Sequence, residues 1–240
     1  MYLDANAVIQ ETTLELAKNP GNIIAFRMRS SAFYRSSQPE KGKADAVAVL
    51  ALLNNPVSAE EFEAKCYGER RLEKYDAAII SCTRAIELDP KYAWAFYNRA
   101  GAYAGKKQSQ QAIADFTKAI ELLPTFSDAY SGRGNVFGSN NDYDKAIADY
   151  TKVVELEPKR ASGYQSRGYF YYMKKEDERA IADFTKGIEL DPKAAAMYIY
   201  RGNSYFAKGQ LDLAIQDYTK AIEAGPKDPG PYFRRGLAYS

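Results

Sequence analysis

The amino-acid sequence predicts an all-α protein in which pairs of helices stack into a solenoid. Three observations lead to this prediction: prolines recur at a 34-residue step, small and aromatic residues recur in register with them, and each segment between prolines contains two runs of helical periodicity. The prolines are Pro56, Pro90, Pro124, Pro158, Pro192 and Pro226. One helix pair cannot bury its apolar face alone, so neighbouring pairs must stack.

Four further columns of residues keep the same period. Glycine or alanine in two of them should let paired helices approach closely, while aromatic residues in the other two should fill the gaps between units. The columns are Ala78, Ala112, Ala146, Ala180 and Ala214; Cys82, Phe116, Tyr150, Phe184 and Tyr218; Cys66, Ala100, Gly134, Gly168, Gly202 and Gly236; and Tyr103, Phe137, Tyr171, Tyr205 and Tyr239.

The segment 93–126 illustrates how one unit is built. Residues 93–106 and 111–122 each place apolar side chains on one helical face, and the polar segment 107–110 separates them. Pro124 cannot continue a helix, so it marks the end of the second one. Each unit is therefore expected to consist of a first helix, a short turn and a second helix.

The first quarter of the chain predicts a less regular copy of this unit. Residues 3–18 predict a helix, and residues 25–33 resemble the start of a first helix in the later units. A further helix is predicted at about 44–53, after a linker over 36–43 that carries two extra residues.

The regular repeats begin at residue 59. Ser58 and Glu61 have the spacing of a capping box, which opens a helix at this point. We therefore divide the chain into degenerate repeats over 1–58 and a regular array over 59–240, with about six helix pairs and terminal half-repeats in total. The units of the array are 59–92, 93–126, 127–160, 161–194, 195–228 and the partial unit 229–240.

The partial unit 229–240 predicts a first helix without a second one. Tyr232, Leu237 and Tyr239 would then lack the helix that covers their counterparts in earlier units. Arrays of this kind normally end in a polar capping helix. We expect either that the array continues in a longer protein or that this open end associates with a second copy of the chain.

The repeat resembles the tetratricopeptide repeat, a 34-residue unit of two helices, in its bacterial-type variant. The match extends from about residue 59 to the end of the chain and is looser before it. The resemblance implies a right-handed α–α superhelix whose first helices line a concave groove for an extended peptide or partner protein. The residues of one unit that occupy the places of the motif are Tyr130, Arg133, Gly134, Phe137, Ala146, Tyr150 and Pro158.

Carried over column by column, the resemblance predicts which residues line the groove. Rigid aromatic side chains there would provide apolar anchors, and amide side chains would pair with the backbone of the ligand. The alternative is that some of these side chains pack between adjacent first helices. The predicted groove residues are Trp94, Tyr97, Asn98, Asp128, Asn135, Gln165, Tyr169, Tyr172, Tyr200, Asn203 and Phe206.

Relatives that bind a C-terminal carboxylate use lysines and asparagines on the groove. The corresponding places in this sequence hold Glu63, Tyr97, Ser131, Gln165 and Ile199, none of which is a lysine. We therefore expect a partner of mixed apolar and polar character rather than a strongly acidic one.

Two columns of opposite charge follow the repeat. Arginines at 99, 133, 167, 201 and 235 stand where the family usually has leucine, and aspartates at 115, 149, 183 and 217 recur on the second helices. We predict Arg–Asp pairs that link helices, within a unit or across to the next. The alternative is that each aspartate pairs with the lysine three residues later. Those lysines and the nearby glutamates are expected to form a solvated face: Lys118, Lys152, Lys186 and Lys220 with Glu121, Glu155, Glu189 and Glu223.

Composition argues against several classes of function. The chain has 33 Lys and Arg residues against 31 Asp and Glu residues, so charge provides no case for a nucleic-acid or membrane partner. No histidine is present, which removes the commonest general base and metal ligand. With no phosphate-binding loop, nucleophile elbow or metal-ligand spacing, we predict no enzyme activity, no cofactor and no metal. The start of the chain shows no secretory signal, so a cytoplasmic location is expected.

The two cysteines, Cys66 and Cys82, fall in packing columns on the two helices of one unit. We interpret them as buried thiols, and a disulfide is the alternative. The leading functional interpretation is a protein–protein interaction scaffold that binds a peptide or partner protein in the groove. A regulatory or targeting segment of a larger multidomain protein is the alternative, and an RNA-binding helical array is a third that the near-neutral charge disfavours.

Overall fold

The computed structural model describes residues 4–36 and 38–240, and these residues form fourteen helices and no strand. The all-α prediction is confirmed. None of the helices in the described ranges is both long and apolar enough to span a membrane. The helices are α1 (Ala5–Lys18), α2 (Ile23–Arg35), α3 (Pro39–Leu52), α4 (Ala59–Arg71), α5 (Tyr75–Leu88), α6 (Ala93–Gly105), α7 (Ser109–Leu122), α8 (Ser127–Ser139), α9 (Tyr143–Leu156), α10 (Ala161–Met173), α11 (Asp177–Leu190), α12 (Ala195–Ala207), α13 (Leu211–Ala224) and α14 (Pro229–Tyr239).

The chain divides into two compact units. One, unit A, ends at Gly132 and contains helices α1 to α7; the other, unit B, begins at Arg133 and contains α9 to α14, with the division falling inside α8. Within each unit, helices pack chiefly against the partner in their own pair and then against the next pair along the chain. This nearest-neighbour packing is what a repeat array predicts.

The degenerate first quarter differs from the prediction in one helix. Helix α3 begins at Pro39, not at about residue 44. Proline suits the first helical position because its ring fixes φ near the helical value, and because the N–H that it lacks would have no partner within the helix. The helix predicted over 3–18 is observed as α1; residue 3, like Ser37 in the linker, lies outside the described residues. The capping box at Ser58 is confirmed: its hydroxyl accepts from the backbone N–H of Glu61 at 3.2 Å, and the Glu61 carboxylate accepts in return.

The turn between the first and second helix of each regular unit contains one residue in the left-handed region. In the turn after α6, Lys107 has φ of 59°, its N–H donates to the Ala104 carbonyl, and the N–H of Gln108 donates to the Tyr103 carbonyl, both at 2.9 Å. These bonds satisfy carbonyls that the end of a helix leaves unbonded. The tight turn lets α7 begin at Ser109, two residues earlier than the periodicity predicts. The equivalent residues are Glu73, Asn141, Lys175 and Gly209.

The glycine and aromatic columns meet inside each helix pair. A Cβ added at Gly134 would lie 3.0 Å from the ring of Tyr150, and one at Gly168 would lie 3.0 Å from the ring of Phe184. The aromatic ring of the second helix therefore rests on the bare backbone of the first. All five members of the alanine column are fully buried. The aromatic column that contains Tyr150 and Phe184 therefore fills space within a helix pair as well as between neighbouring repeats.

The cysteine prediction was wrong: Cys66 and Cys82 form a disulfide, with their Cα atoms 5.3 Å apart and both side chains fully buried. They occupy the glycine and aromatic columns of the unit 59–92. Because these two columns face each other across the helix pair, a cysteine in each is close enough to form a covalent bond. The same unit has Lys65 and Ser81 where the other regular units have the arginine and aspartate.

The predicted interhelix Arg–Asp pairs are confirmed, and each one joins the two helices of a single 34-residue repeat. In unit B, Arg167 donates to Asp183 through Nε and Nη2, each at 2.7 Å, and its Nη1 donates to the Thr151 hydroxyl of the preceding second helix at 3.4 Å. This arginine therefore joins helices both within a pair and between pairs. The alternative is wrong, because the lysines bond the glutamates instead, as Lys186 does with Glu189 at 2.8 Å on the exposed face. The other two-bond pairs are Arg99–Asp115, Arg133–Asp149, Arg201–Asp217 and, in the degenerate region, Arg29–Asp45.

Candidate ligand-binding surfaces

A groove of about 600 Å³ opens in unit B along the first helices α8 and α10. Four of the predicted groove residues line it: Asn135, Gln165, Tyr169 and Tyr200. The structure therefore brings together, from three different first helices, residues that are up to 65 positions apart in the sequence. The remaining lining residues are Gly138, Ser139, Asn141, Tyr143, Ser166, Phe170 and Met173.

The sequence prediction missed these seven lining residues. Three of them lie three or four positions after a predicted residue and so share its helical face: Gly138 and Ser139 after Asn135, and Met173 after Tyr169. That spacing was an available signal. Asn141 and Tyr143 lie at the turn and at the start of α9, where only the fold shows that they reach the groove.

One wall of this groove is a cluster of aromatic rings centred on Tyr200. Its ring centroid lies 5.2 Å from that of Tyr169, 5.5 Å from that of Tyr172 and 5.8 Å from that of Phe184, in edge-on, tilted and stacked geometries. Rings held on three sides lose little freedom when a ligand binds. Burial, followed by the neighbouring tyrosines, raises the pKa of Tyr200.

The groove is also lined by polar side chains. Asn135 is exposed, and its carbonyl oxygen accepts a hydrogen bond of 2.6 Å from the Tyr150 hydroxyl. This bond fixes the plane of the amide. Asn203, the residue two units later in the same column, is only 6 % exposed and accepts from the Tyr218 hydroxyl at 3.0 Å. The packing interpretation therefore describes Asn203, while Phe206 on the same helix remains exposed.

The predicted groove residues of unit A form a separate group. The ring of Trp94 packs 4.3 Å from that of Phe126, and Tyr97 packs against Trp94 and Phe126 at 5.8 and 4.9 Å. The Trp94 side chain is exposed. Burial raises the pKa of Tyr97, and the nearby Asp128 carboxylate acts in the same direction. Asn98 is buried, 1 % exposed, and takes part in a polar network.

The centre of that network is Glu63, whose side chain is fully buried on α4. Its carboxylate accepts hydrogen bonds from Arg27 at 2.7 Å, from the Tyr92 hydroxyl at 3.3 Å and from the amide of Asn98. Burial raises the pKa of Glu63, and the Arg27 charge opposes that shift. Burial together with the Glu63 charge raises the pKa of Tyr92 to about 12.

Comparison with solved structures shows the same fold at low sequence identity. The MamA fragment 41-end from Desulfovibrio magneticus RS-1 has 21% identity and a TM-score of 0.65, covering 71% of this chain and 96% of that one. YrrB, described as a TPR protein with an unusual peptide-binding site, has 19% identity and a TM-score of 0.58, with coverages of 94% and 98%. A thermophilic TPR protein of Thermus thermophilus has 20% identity and a TM-score of 0.54, with coverages of 76% and 99%.

Family models agree with the fold along most of the chain. None of the curated proteins compared with the chain matches it. Two models described as tetratricopeptide repeat match residues 93–126 and 127–160, and residues 69–92 and 161–194, while one described as TPR repeat matches residues 202–240. With the 34-residue period and the stacked helix pairs, these matches show that the chain belongs to the tetratricopeptide repeat family.

Proposed function

We propose that this protein is an interaction scaffold that binds an extended peptide, or an extended segment of a partner protein, in the groove of unit B. The observation that supports this best is the pairing of a rigid aromatic wall with exposed amide and hydroxyl groups in one groove. Membership of the tetratricopeptide repeat family supports a binding role. The description of YrrB as having a peptide-binding site supports a peptide as the ligand.

The chemistry of the groove indicates what the ligand presents. Tyr169, Tyr200 and Met173 offer apolar surface, and Asn135 and Gln165 offer donors and acceptors for peptide backbone groups. None of the eleven residues that line the groove is charged at neutral pH. We therefore propose that the bound segment is uncharged, with apolar side chains separated by accessible backbone.

Peptide selection on the full chain tests this proposal. Peptides selected from a random library would be measured by fluorescence anisotropy against the protein and against the Asn135→Ala and Gln165→Ala variants. Each variant removes polar groups from the groove without removing a ring from the aromatic wall. We expect each to raise Kd about tenfold, which corresponds to about 1.4 kcal/mol. Because the groove is uncharged, Kd should change little between low and high salt.

The matched control is Tyr232→Ala, which removes a half-exposed tyrosine of α14 that does not line the groove. Its Kd should equal that of the unmodified chain. Selected peptides that bind all three variants as tightly as the unmodified chain would place the binding site elsewhere. Binding that weakens steeply with salt would contradict the uncharged ligand proposed here.

A further inference from the structure

Three arginine side chains converge on one tyrosine ring in unit A. Arg27 lies on α2, and Arg70 and Arg71 are the last two residues of α4. Their guanidinium carbons lie 5.3, 5.9 and 5.1 Å, respectively, from the centroid of the Tyr67 ring. Each distance is within the range of a cation–π contact. One buried ring therefore gathers three positive charges.

Among the described residues, Glu63 is the one carboxylate that bonds any of these three arginines. Asp128 acts on Tyr97, whose ring centroid lies 5.6 Å from the guanidinium carbon of Arg70. Glu63 bonds Arg27, whereas Nε of Arg70 donates at 3.0 Å to the neutral carbonyl oxygen of Asn98. The Arg71 guanidinium stacks on the Tyr34 ring, 4.1 Å from its centroid. Within residues 4–36 and 38–240, neither Arg70 nor Arg71 forms an ion pair with a carboxylate. In the Arg–Asp pairs of the regular units, by contrast, each arginine has its own aspartate.

Burial makes this excess of charge costly. Arg70 and Arg71 are only partly exposed, and the buried Nε atoms of Arg27 and Arg71 have no hydrogen-bond acceptor. Burial and the neighbouring charge of Arg71 lower the pKa of Arg70. A partly desolvated cation with no carboxylate bonded to it is unfavourable, and an oxoanion bonded by the two arginines would reduce that penalty.

We propose that Arg70 and Arg71, supported by Arg27, form an oxoanion-binding site that takes a carboxylate or phosphate group of a ligand. The guanidinium fork matches the geometry of both groups through paired N–H donors. The tyrosine rings hold the arginines in place before the anion arrives. The space for Arg70 comes from Gly101 on α6, where an added Cβ would lie 2.9 Å from Cδ of Arg70.

This site changes the expectation of a non-acidic partner. That expectation rests on five positions of one column, beginning with Glu63 and Tyr97, none of which is a lysine. Arg70 and Arg71 lie about two helical turns after Glu63, outside that column, so the column comparison could not detect them. The three arginines of this site are not among the residues that line the groove of unit B.

Binding of small anionic probes to the full chain tests the site. The probes are an acetylated tetraglutamate peptide, a phosphoserine peptide in a Gly-Ser context, its unphosphorylated form and inorganic phosphate, each titrated by calorimetry. We expect the anionic probes to bind and the unphosphorylated peptide not to bind. The stronger of the tetraglutamate and phosphoserine peptides identifies the source of the oxoanion. Binding should weaken as salt screens the charges.

Single substitutions locate the site. Arg70→Gln and Arg71→Gln should each weaken anion binding at least tenfold. The control is Arg84→Gln, which removes the same charge from an exposed arginine of α5 that pairs with Glu87; its affinity should stay unchanged. Equal weakening in all three variants would overturn the proposal, because it would reflect net charge rather than a site.

A measurement on the unmodified chain guards against variants that fail to fold. In ¹⁵N NMR spectra, addition of inorganic phosphate should shift the Nε–H resonances of Arg27, Arg70 and Arg71 more than those of exposed arginines. No shift at phosphate concentrations up to tens of millimolar, or a uniform small shift of all arginines, would reject the site.

Discussion

Replacing Asp149 with asparagine tests whether the Arg–Asp pairs hold the helix pairs together. The two carboxylate oxygens of Asp149 accept hydrogen bonds of 2.7 and 2.9 Å from Nη2 and Nε of Arg133. Asparagine has nearly the same shape but only one acceptor oxygen. Its NH₂ group would face an N–H group of the guanidinium, and Arg133 would lose its counter-charge.

The expected loss follows from how deeply this pair is buried. Removing one partner of a fully buried ion pair costs about 3–5 kcal/mol, whereas exposed pairs contribute at most about 1 kcal/mol. The side chain of Asp149 is 6% exposed and that of Arg133 is 19% exposed, so the pair lies nearer the buried limit. We expect Asp149→Asn to lower the free energy of unfolding by about 2–3 kcal/mol. This loss is smaller than that for a fully buried pair because the Arg133 side chain is partly exposed to water.

Urea denaturation followed by circular dichroism measures this loss. The matched control is Asp144→Asn on the same helix, whose side chain is 80% exposed and bonds Lys174. It should lower the free energy of unfolding by less than about 1 kcal/mol. If Asp149→Asn shifts the urea midpoint no further than Asp144→Asn does, the Arg–Asp pair does not stabilise the helix pair and the reasoning is refuted.

Three further predictions concern the core and the groove. Cys82→Ser should lower stability by about 3 kcal/mol, the value for a disulfide closing a loop of this length; two titratable thiols in the denatured, unreduced chain would contradict the disulfide. The pKa of Tyr92, about 12, lies above that of an unfolded tyrosine, so unfolding releases a proton between pH 10 and 12 and stability should fall across that range. Tyr92→Phe should flatten the fall, measured by urea midpoints; an unchanged slope would contradict the shift. Gly138→Ala should cost about 1–3 kcal/mol, because its Cβ would overlap the buried Phe170 ring. The control Gly236→Ala has no neighbour within 4 Å of the added Cβ and should not lose stability; equal losses in the two would disprove the overlap.

Local signals in the sequence were sufficient for the helices. The helical periodicity of apolar residues and the proline after each second helix predicted the regular repeats closely, since both depend only on residues within a turn or two. The 34-residue period then showed that the same pair of helices recurs along the chain. The sequence places the start of α3 too late, because Pro39 is typical of a linker as well as of the first position of a helix. The Arg–Asp pairs were predictable because both residues keep the period of the repeat.

Contacts between residues that do not recur at the repeat spacing could be identified only from the tertiary structure. Arg70 and Arg71 share α4 with Tyr67, but nothing in the periodic pattern marks them as neighbours of Arg27, which lies more than forty residues earlier. Only the stacking of α2 on α4 brings Arg27 to the same ring. The Cys66–Cys82 bond likewise depends on how closely two columns approach across a helix pair.

The sequence by itself determined the architecture, because a repeated pattern of small, aromatic and proline residues imposes the same helix pair on every unit. Only the tertiary structure decided which side chains are available to a ligand. Asn135 and Asn203 occupy the same column of the repeat and both accept a tyrosine hydroxyl, yet one is exposed and the other buried. The exposure of a side chain depends on the neighbours that packing brings to it, and the residue type at one position of the repeat does not contain that information.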